Sequence, residues 1–282
     1  MNRWRKGGGS VRVRSALRER WRETRAALDQ GWYAYGGRRV DLSAGLSEMG
    51  RGIRLFGAEE LRGLGFPRGS GDTRIEVVRE TTLEAVERLG GGGPVAALNF
   101  ASARNPGGGV ERGAQAQEES LARSSGLYDA LIRCPEFYEA HRNDRDPFYS
   151  DRVVHTPGVP VFRRDDGSWL PVPLRVAFLT SAAPNRGAIE RDRPSAVGRI
   201  AGVLATRARG VLAVAAHQGE SRLVLGAWGC GVFGNEPAEV AAAFAVHLRG
   251  GFAGVFEQVV FAIPDRDDST RRVFERVLGN CR

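Results

Sequence analysis

The chain has 282 residues, of which 42% are apolar and 26% charged, as in a globular protein with a packed core. This length suits one large α/β domain or two small ones. No run of about 18 apolar residues occurs, which argues against a membrane span, and no secretory signal follows the basic N-terminus. The scattered cysteines (Cys134, Cys230 and Cys281) and four histidines favour neither disulfide bonds nor a metal site. We therefore predict a cytoplasmic protein without a bound metal.

The net charge is +8, and residues 1–25 account for +7 of it, with nine basic residues against Glu19 and Glu23. The remaining chain is therefore nearly neutral. Residues 1–12 are predicted to form a flexible basic arm with a glycine linker. Such an arm, with one face of the helix that follows, is either simply solvated or attracts a polyanionic partner over a long distance.

Residues 13–73 are predicted to form an N-terminal extension with several helices. Leu17, Trp21 and Leu28 recur at helical spacing, which predicts a helix from the end of the arm to Leu28. Alternating apolar positions around Gly36-Gly37 predict a hairpin of residues 32–35 and 39–42. Two further helices are predicted, at residues 45–56 and 58–63.

From residue 74 onward, predicted strands alternate with predicted helices. The strands are predicted at residues 74–78, 94–100, 153–162, 175–181, 211–216, 223–226 and 258–263. The helices are predicted at residues 81–89, 115–132, 193–210, 237–248 and 269–278. Such alternation predicts a largely parallel or mixed sheet covered on both faces. We expect residues 13–282 to form a single α/β domain, with residues 74–282 as its core.

The first informative loop contains three consecutive glycines, Gly107, Gly108 and Gly109, between a buried strand and a helix. Glycines allow a ligand to approach the backbone closely, and the N–H groups at a helix start favour anions or polar ligands. A glycine-rich surface turn is the alternative. On the helix, Glu118 and Glu119 point about 100° apart, so one of them can face a cleft. Acidic residues at this position also complement the helix dipole.

The second informative loop covers residues 226–237 and contains glycines at 226, 229, 231 and 234. It also lies between a predicted strand and a predicted helix, and its free N–H groups suit an anion-binding concavity. Phe233 either stacks on a sugar or base or belongs to the core. The loop lacks the lysine of a P-loop and the GxGxxG spacing, so a diphosphate held by backbone groups fits better. Two such loops predict a crevice at the strand ends of the sheet.

Gly107–Gly109 and Gln117–Glu119 resemble the GGG…QEE signature of poly(ADP-ribose) glycohydrolases (PARGs). Residues 99–121, 149–152, 157–162 and 180–185 are similar to the bacterial branch of that family, and residues 226–235 resemble the macrodomain phosphate loop. The resemblance covers most of residues 25–280. It implies a macrodomain-like three-layer α/β/α fold with a mixed central sheet. It also implies hydrolysis of the ribose–ribose O-glycosidic bonds of poly(ADP-ribose), with no cofactor and no metal.

The resemblance further implies roles for individual residues. Glu119 would act as the general acid that protonates the departing ribose oxygen, because such bonds break through an oxocarbenium-like transition state. Its carboxylate would then activate water, while Glu118 would bind the riboses. The implied ligand-binding residues are Asn99, Asn105, Gly107, Gly108, Gly109, Gln117, Gly229, Gly231, Val232 and Phe233. The implied partners are poly(ADP-ribose), ADP-ribose and ADP-ribosylated proteins, bound by a monomer that needs neither membrane nor nucleic acid.

Three alternative functions remain at this point. The chain could be a macrodomain that binds ADP-ribose without cleaving it, although a binding module has no need of a buried acid. It could remove single ADP-ribose groups from proteins. It could also be a nucleic-acid-binding protein that uses residues 1–25.

Overall fold

The computed structural model describes residues 11–66, 69 and 71–279, which form a mixed sheet with helices on both faces and a separate hairpin. The strands are β1 Trp32–Tyr35, β2 Arg38–Asp41, β3 Arg54–Phe56, β4 Arg74–Val78, β5 Val95–Phe100, β6 Val153–Arg163, β7 Trp169–Ser181, β8 Arg222–Gly226 and β9 Gln258–Ala262. The helices are α1 Val11–Gln30, α2 Ser43–Gly52, α3 Ala58–Gly63, α4 Thr82–Gly90, α5 Gln117–Ser124, α6 Leu127–Leu131, α7 Pro135–Asn143, α8 Arg186–Asp192, α9 Ile200–His217, α10 Pro237–Leu248 and α11 Ser269–Leu278.

The central sheet has seven strands in the order β3-β6-β7-β5-β8-β9-β4. The five strands from β7 to β4 run parallel to one another, whereas β6 is antiparallel to both of its neighbours. The carboxyl ends of the parallel strands therefore meet at one edge of the sheet. In such sheets, this edge is where ligands bind.

Two apolar clusters cover the two faces of the sheet. On one face, α4 to α7 bury side chains such as Leu83, Leu121 and Phe137. On the other face, α9 to α11 bury side chains such as Leu212, Phe244 and Phe274. These clusters form the predicted three-layer α/β/α arrangement. The stretch Pro194–His217 is long and apolar enough to span a membrane, but much of α9 is buried against the sheet.

The extension and the core share the sheet. β3 lies within residues 13–73, yet it pairs with β6 at the edge of the central sheet. A capping box starts α4, because Thr81 Oγ1 accepts from Glu84 N–H and the Glu84 carboxylate accepts from Thr81 N–H. The hairpin of β1 and β2 also forms as predicted.

Several predicted element boundaries are wrong. Residues 11 and 12 belong to α1, and the remainder of the predicted arm, residues 1–10, lies outside the described residues. The helix predicted at 45–56 ends at Gly52, because Arg54–Phe56 pairs with β6. The prediction did not include α7. The prediction also did not include α8, and the helix predicted at 193–210 is instead a short 3-10 turn, Pro194–Arg199, followed by the first part of α9.

The strand predicted at residues 211–216 is the second half of α9. Its residues form a continuous apolar run because this part of the helix is buried, and such a run does not distinguish a strand from a buried helix. The long helix predicted at 115–132 is interrupted at Ser125 and Gly126. Ser125 forms an antiparallel bridge with Val161, and Gly126 N–H donates to Pro160 O at 3.0 Å.

Candidate active site

A cleft of about 660 Å³ lies at the carboxyl ends of β4, β5, β8 and β9, and both glycine-rich loops contribute to it. It is lined by residues from five segments, 81–83, 100–109, 112–121, 227–233 and 262–265, together with Asp165 and Thr270. The start of α5 enters the cleft next to the end of β5. The fold therefore brings the predicted acid and the predicted anion-binding loop to one site.

Glu119 lies in the first turn of α5, and its side chain is buried beneath the triple-glycine loop. Its Oε1 accepts a hydrogen bond from Gly109 N–H at 2.9 Å. Its Oε2 is buried and has no hydrogen-bond partner among the described residues. Gly108 has a φ of +60°, and a Cβ there would lie 2.3 Å from Glu119 Oε1. The loop can thus cover this carboxyl group only because residue 108 is glycine.

Glu118 is buried more deeply than Glu119 and is held by fixed donors. Ser102 N–H donates to its Oε2 at 2.7 Å, and Asn99 Nδ2 donates to its Oε1 at 3.3 Å. Burial raises the pKa of Glu118 to about 8; the Ser102 hydrogen bond opposes this rise, and the Glu119 charge adds to it. Glu118 is therefore a carboxyl group that retains its proton at neutral pH.

Gln117 fixes the start of α5 against β5 and α4. Its side-chain oxygen accepts from Phe100 N–H at 2.9 Å. Its amide nitrogen donates to Leu98 O at 2.7 Å and to Thr82 Oγ1 at 3.1 Å. These three hydrogen bonds set the position of the first turn of α5, and with it the positions of both carboxyl groups.

The second glycine-rich loop is folded back on itself by Asn235. Asn235 N–H donates to Gly229 O at 3.0 Å, and its side-chain amide donates to Pro184 O at 2.9 Å. Gly229 has a φ of +73°, and a Cβ there would lie 2.4 Å from Asn235 Nδ2. The close approach of these two residues makes the loop compact.

Three successive backbone N–H groups of this loop, those of Gly231, Val232 and Phe233, donate to no acceptor in the described part of the chain. Val232 is 86% exposed at the tip of the loop. Consecutive free N–H groups in a tight loop form a concavity that binds anions. This segment has the donors that a diphosphate needs.

An aromatic group supports the loop from behind. The ring of Phe233 lies 5.9 Å from that of Tyr149, and the ring of Tyr149 lies 5.6 Å from that of His141. Tyr149 has a φ of +60°, which is unusual for a residue with a side chain. Burial lowers the pKa of His141 to about 4, so its neutral ring accepts from Ser150 N–H at 3.1 Å. The segment 149–152 therefore has a structural role, which is to support the second glycine-rich loop.

Residues 22–164, about half of the chain, match the family model described as microbial-type PARG, catalytic domain. The chain belongs to this family. A comparison with curated proteins gave no match.

Solved PARG structures resemble the chain over most of its length. The PARG of Thermomonospora curvata is 50% identical, with a TM-score of 0.89 over 94% of this chain and 100% of that chain. The same protein bound to the inhibitor ADP-HPD is 51% identical, with a TM-score of 0.88 over 93% and 99%. The PARG of Deinococcus radiodurans in complex with ADP-ribose is 44% identical, with a TM-score of 0.81 over 84% and 98%. The predicted family and its macrodomain-like fold are confirmed.

Most of the residues that the PARG signature implies as site residues line the cleft: Asn105, Gly108, Gly109, Gln117, Glu118, Glu119, Gly229, Gly231, Val232 and Phe233. Two implied residues lie behind it. Asn99 is completely buried beneath Glu118, and Gly107 packs against the ring of Tyr128. Among the described residues, no group of three or more His, Cys, Asp or Glu side chains could hold a metal ion.

Sequence reasoning missed several residues that line the cleft of this PARG-family chain. Thr81, Asp265 and Thr270 follow β4 and β9, so the rule that ligands bind at strand ends could have identified them. Asp165 lies in the turn between β6 and β7 and accepts from Thr81 Oγ1 at 2.6 Å. No local sequence pattern indicates that this turn reaches the cleft.

Proposed function

We propose that the chain hydrolyses the ribose–ribose O-glycosidic bonds of poly(ADP-ribose) and releases ADP-ribose. The observation that carries this proposal is the convergence of the Glu119 carboxyl group and the two glycine-rich loops on one cleft. Membership of the PARG family supports it. Two relatives also support it, one solved in complex with ADP-ribose and one bound to the inhibitor ADP-HPD.

The second loop holds the diphosphate of the ADP-ribose unit that is released. The free N–H groups of Gly231, Val232 and Phe233 donate to its oxygens. The distal ribose lies against the backbone of Gly108 and Gly109, which line the cleft beside Glu119. This placement brings the anomeric carbon to the side of Glu119.

Glu119 acts as the general acid and base. Its unpartnered Oε2 delivers a proton to the ribose oxygen that leaves as the glycosidic bond breaks. The resulting carboxylate then takes a proton from the water that attacks the oxocarbenium-like centre. Gly109 N–H holds the other carboxyl oxygen in place throughout.

Glu118 binds the hydroxyl groups of the same ribose. Its carboxyl group is mostly neutral at neutral pH because burial raises its pKa to about 8, so the Glu119 carboxylate that forms on proton transfer has no second full charge beside it. Ser102 and Asn99 fix its orientation. The role of Asn99 is therefore to position Glu118 from beneath.

The proposed partners are poly(ADP-ribose), ADP-ribose and ADP-ribosylated proteins that carry the polymer. Because the described residues of one chain form the whole cleft, we propose that the protein acts as a monomer. We also propose that it acts in the cytoplasm.

Replacing Glu119 by glutamine tests the proposal. The side-chain oxygen of the new amide can still accept from Gly109 N–H, so the fold and ADP-ribose affinity should be retained. Loss of the acid should slow release of ADP-ribose from labelled polymer by about 10³-fold or more. Glu139→Gln, which changes an exposed carboxyl group on α7, is the matched control. A Glu119→Gln variant that degrades polymer at the native rate would contradict the mechanism. A wild-type protein that cleaves only single ADP-ribose groups from proteins would contradict the proposed substrate.

A further inference from the structure

A second cavity of about 230 Å³ lies beside the cleft, between α1, α5 and the turn that joins β6 to β7. Four residues, Thr81, Gln115, Ser120 and Asp165, line both spaces. A molecule that fills the cleft near the start of α5 can therefore continue into this second cavity. The PARG signature residues do not extend into it.

Two arginines that line this cavity, Arg20 and Arg123, form no ion pair with any residue in the described part of the chain. Arg123 is 4% exposed, and its Nη1 donates to a backbone oxygen, Ala114 O, at 2.8 Å. Arg20 donates to Asp165 O at 3.0 Å. A buried guanidinium group without a carboxylate partner is costly, and an anion that binds it relieves this cost.

The other two arginines that line the cavity are already paired. Arg163 forms an ion pair with Glu23, and Arg164 forms one with Glu87. The carboxylate of Asp165 accepts from Thr81 Oγ1. Burial lowers the pKa of Arg123; the Glu119 charge opposes this shift, and the nearby Arg20 charge adds to it. The cavity therefore offers two arginine side chains to an anion.

The position of these arginines relative to Glu119 suggests which anion they bind. Arg123 lies one turn beyond Glu119 on α5, a rise of about 6 Å. In poly(ADP-ribose), the oxygen that leaves from the scissile bond belongs to the adenosine ribose of the next unit. That ribose also carries a 5′-phosphate, separated from the leaving oxygen by about the width of one sugar ring.

We propose that Arg20 and Arg123 form a subsite for a phosphate of the ADP-ribose unit on the leaving side of the scissile bond. This inference rests on the proposed function. Guanidinium groups suit phosphate oxygens because they offer planar pairs of charged donors. The subsite would give the enzyme a preference for polymer over substrates whose leaving group lacks a phosphate.

The test uses full-length protein carrying Glu119→Gln, so that bound polymer is not degraded. Dissociation constants are measured for ADP-ribose and for a two-unit oligomer of poly(ADP-ribose). We expect the oligomer to bind about tenfold more tightly than ADP-ribose. Adding Arg20→Ala should remove this difference without changing the affinity for ADP-ribose, and Arg20→Lys should restore part of it.

Arg22→Ala is the matched control, because Arg22 lies on the same helix and is 73% exposed in an ion pair with Glu19. This variant removes the same charge but should leave the oligomer preference intact. If both variants lose the oligomer preference to the same extent, only overall charge matters. If Arg20→Ala keeps the oligomer preference, the subsite is overturned. A failure of the proposed function is distinguishable, because the wild-type protein would then release no ADP-ribose from labelled polymer, whatever the Arg20 variants bind.

Discussion

Glu118 and Glu119 are neighbours in sequence, yet their side chains have different surroundings. Glu118 is held from below by Asn99 and Ser102, whereas Glu119 lies under the loop and keeps one free oxygen. The sequence signature predicted that both residues belong to the site. It could not predict that Asn99 lies behind the cleft, because the motif carries no information about burial.

The raised pKa of Glu118 makes stability depend on pH. The folded protein keeps a proton that the unfolded chain releases above its ordinary pKa of 4.5. Stability should therefore fall as the pH rises from about 4.5 to about 8. Glu118→Gln should remove this loss of stability. Between about pH 5 and about pH 9, the melting temperature of the variant should therefore fall by several degrees less than that of the wild type. Thermal unfolding at both pH values checks this, with exposed Glu139→Gln as the control that should follow the wild type.

Gly108→Ala should nearly abolish hydrolysis. The added Cβ would lie 2.3 Å from Glu119 Oε1 and would impose a φ of +60° on alanine, so either the loop or the carboxyl group must move. Gly37→Ala carries a similar backbone cost, with a φ of +75°, but a Cβ there meets nothing within 4 Å. Comparing the hydrolysis rates of the two variants separates the effect of a clash with Glu119 from the effect of backbone strain. Equal activity in the two would contradict the proposed contact.

Among the elements, α5 best shows what a sequence predicts and what it does not. Its start was predicted within two residues, because the glycine loop and the acidic pair mark a helix N-terminus. Its end was missed, because pairing of Ser125 with Val161 interrupts the helix, and that contact comes from a distant strand. The strand predicted inside α9 failed for a related reason: burial of the helix removes the polar positions that reveal its periodicity.

Gln117 anchors α5 through three hydrogen bonds to β5 and α4. Gln117→Ala should lower the free energy of unfolding by about 2 kcal/mol, because Phe100 N–H and Leu98 O lose their partner in a partly buried place. Chemical denaturation measures this change. Gln30→Ala, at an exposed position at the end of α1, should cost less than about 0.5 kcal/mol. A similar cost for both variants would show that α5 is held mainly by apolar packing.

At the scale of the whole molecule, the N-terminal extension supports the active site. Trp21 of α1 packs with Val110 and Ala122, and its ring lies 5.0 Å from that of Tyr128. Thr24 Oγ1 donates to Arg123 O at 2.6 Å. The extension is therefore part of the working enzyme, although sequence periodicity predicted only its helices and its hairpin.

Trp21→Ala should destabilise the protein by about 3 kcal/mol, because it leaves a cavity between α1 and α5. Polymer hydrolysis should also fall, since Val110 directly follows the triple-glycine loop. Trp32 lies on the hairpin and is only partly buried, with Arg39 over its ring, so Trp32→Ala should cost about 1 kcal/mol or less. Denaturation and activity assays on both variants check this, and an active, stable Trp21→Ala protein would contradict the supporting role of α1.

The strand order also has a consequence for biosynthesis. β3 and β4 follow one another along the chain but lie at opposite edges of the sheet, and β4 pairs with β9 alone among the described strands. During translation, residues 74–78 must wait for residues 258–262 before they acquire a partner. Pairing over such a separation is slow. The nascent polypeptide thus exposes an unpaired strand until β9 has been synthesised, and unpaired strand edges are prone to aggregation.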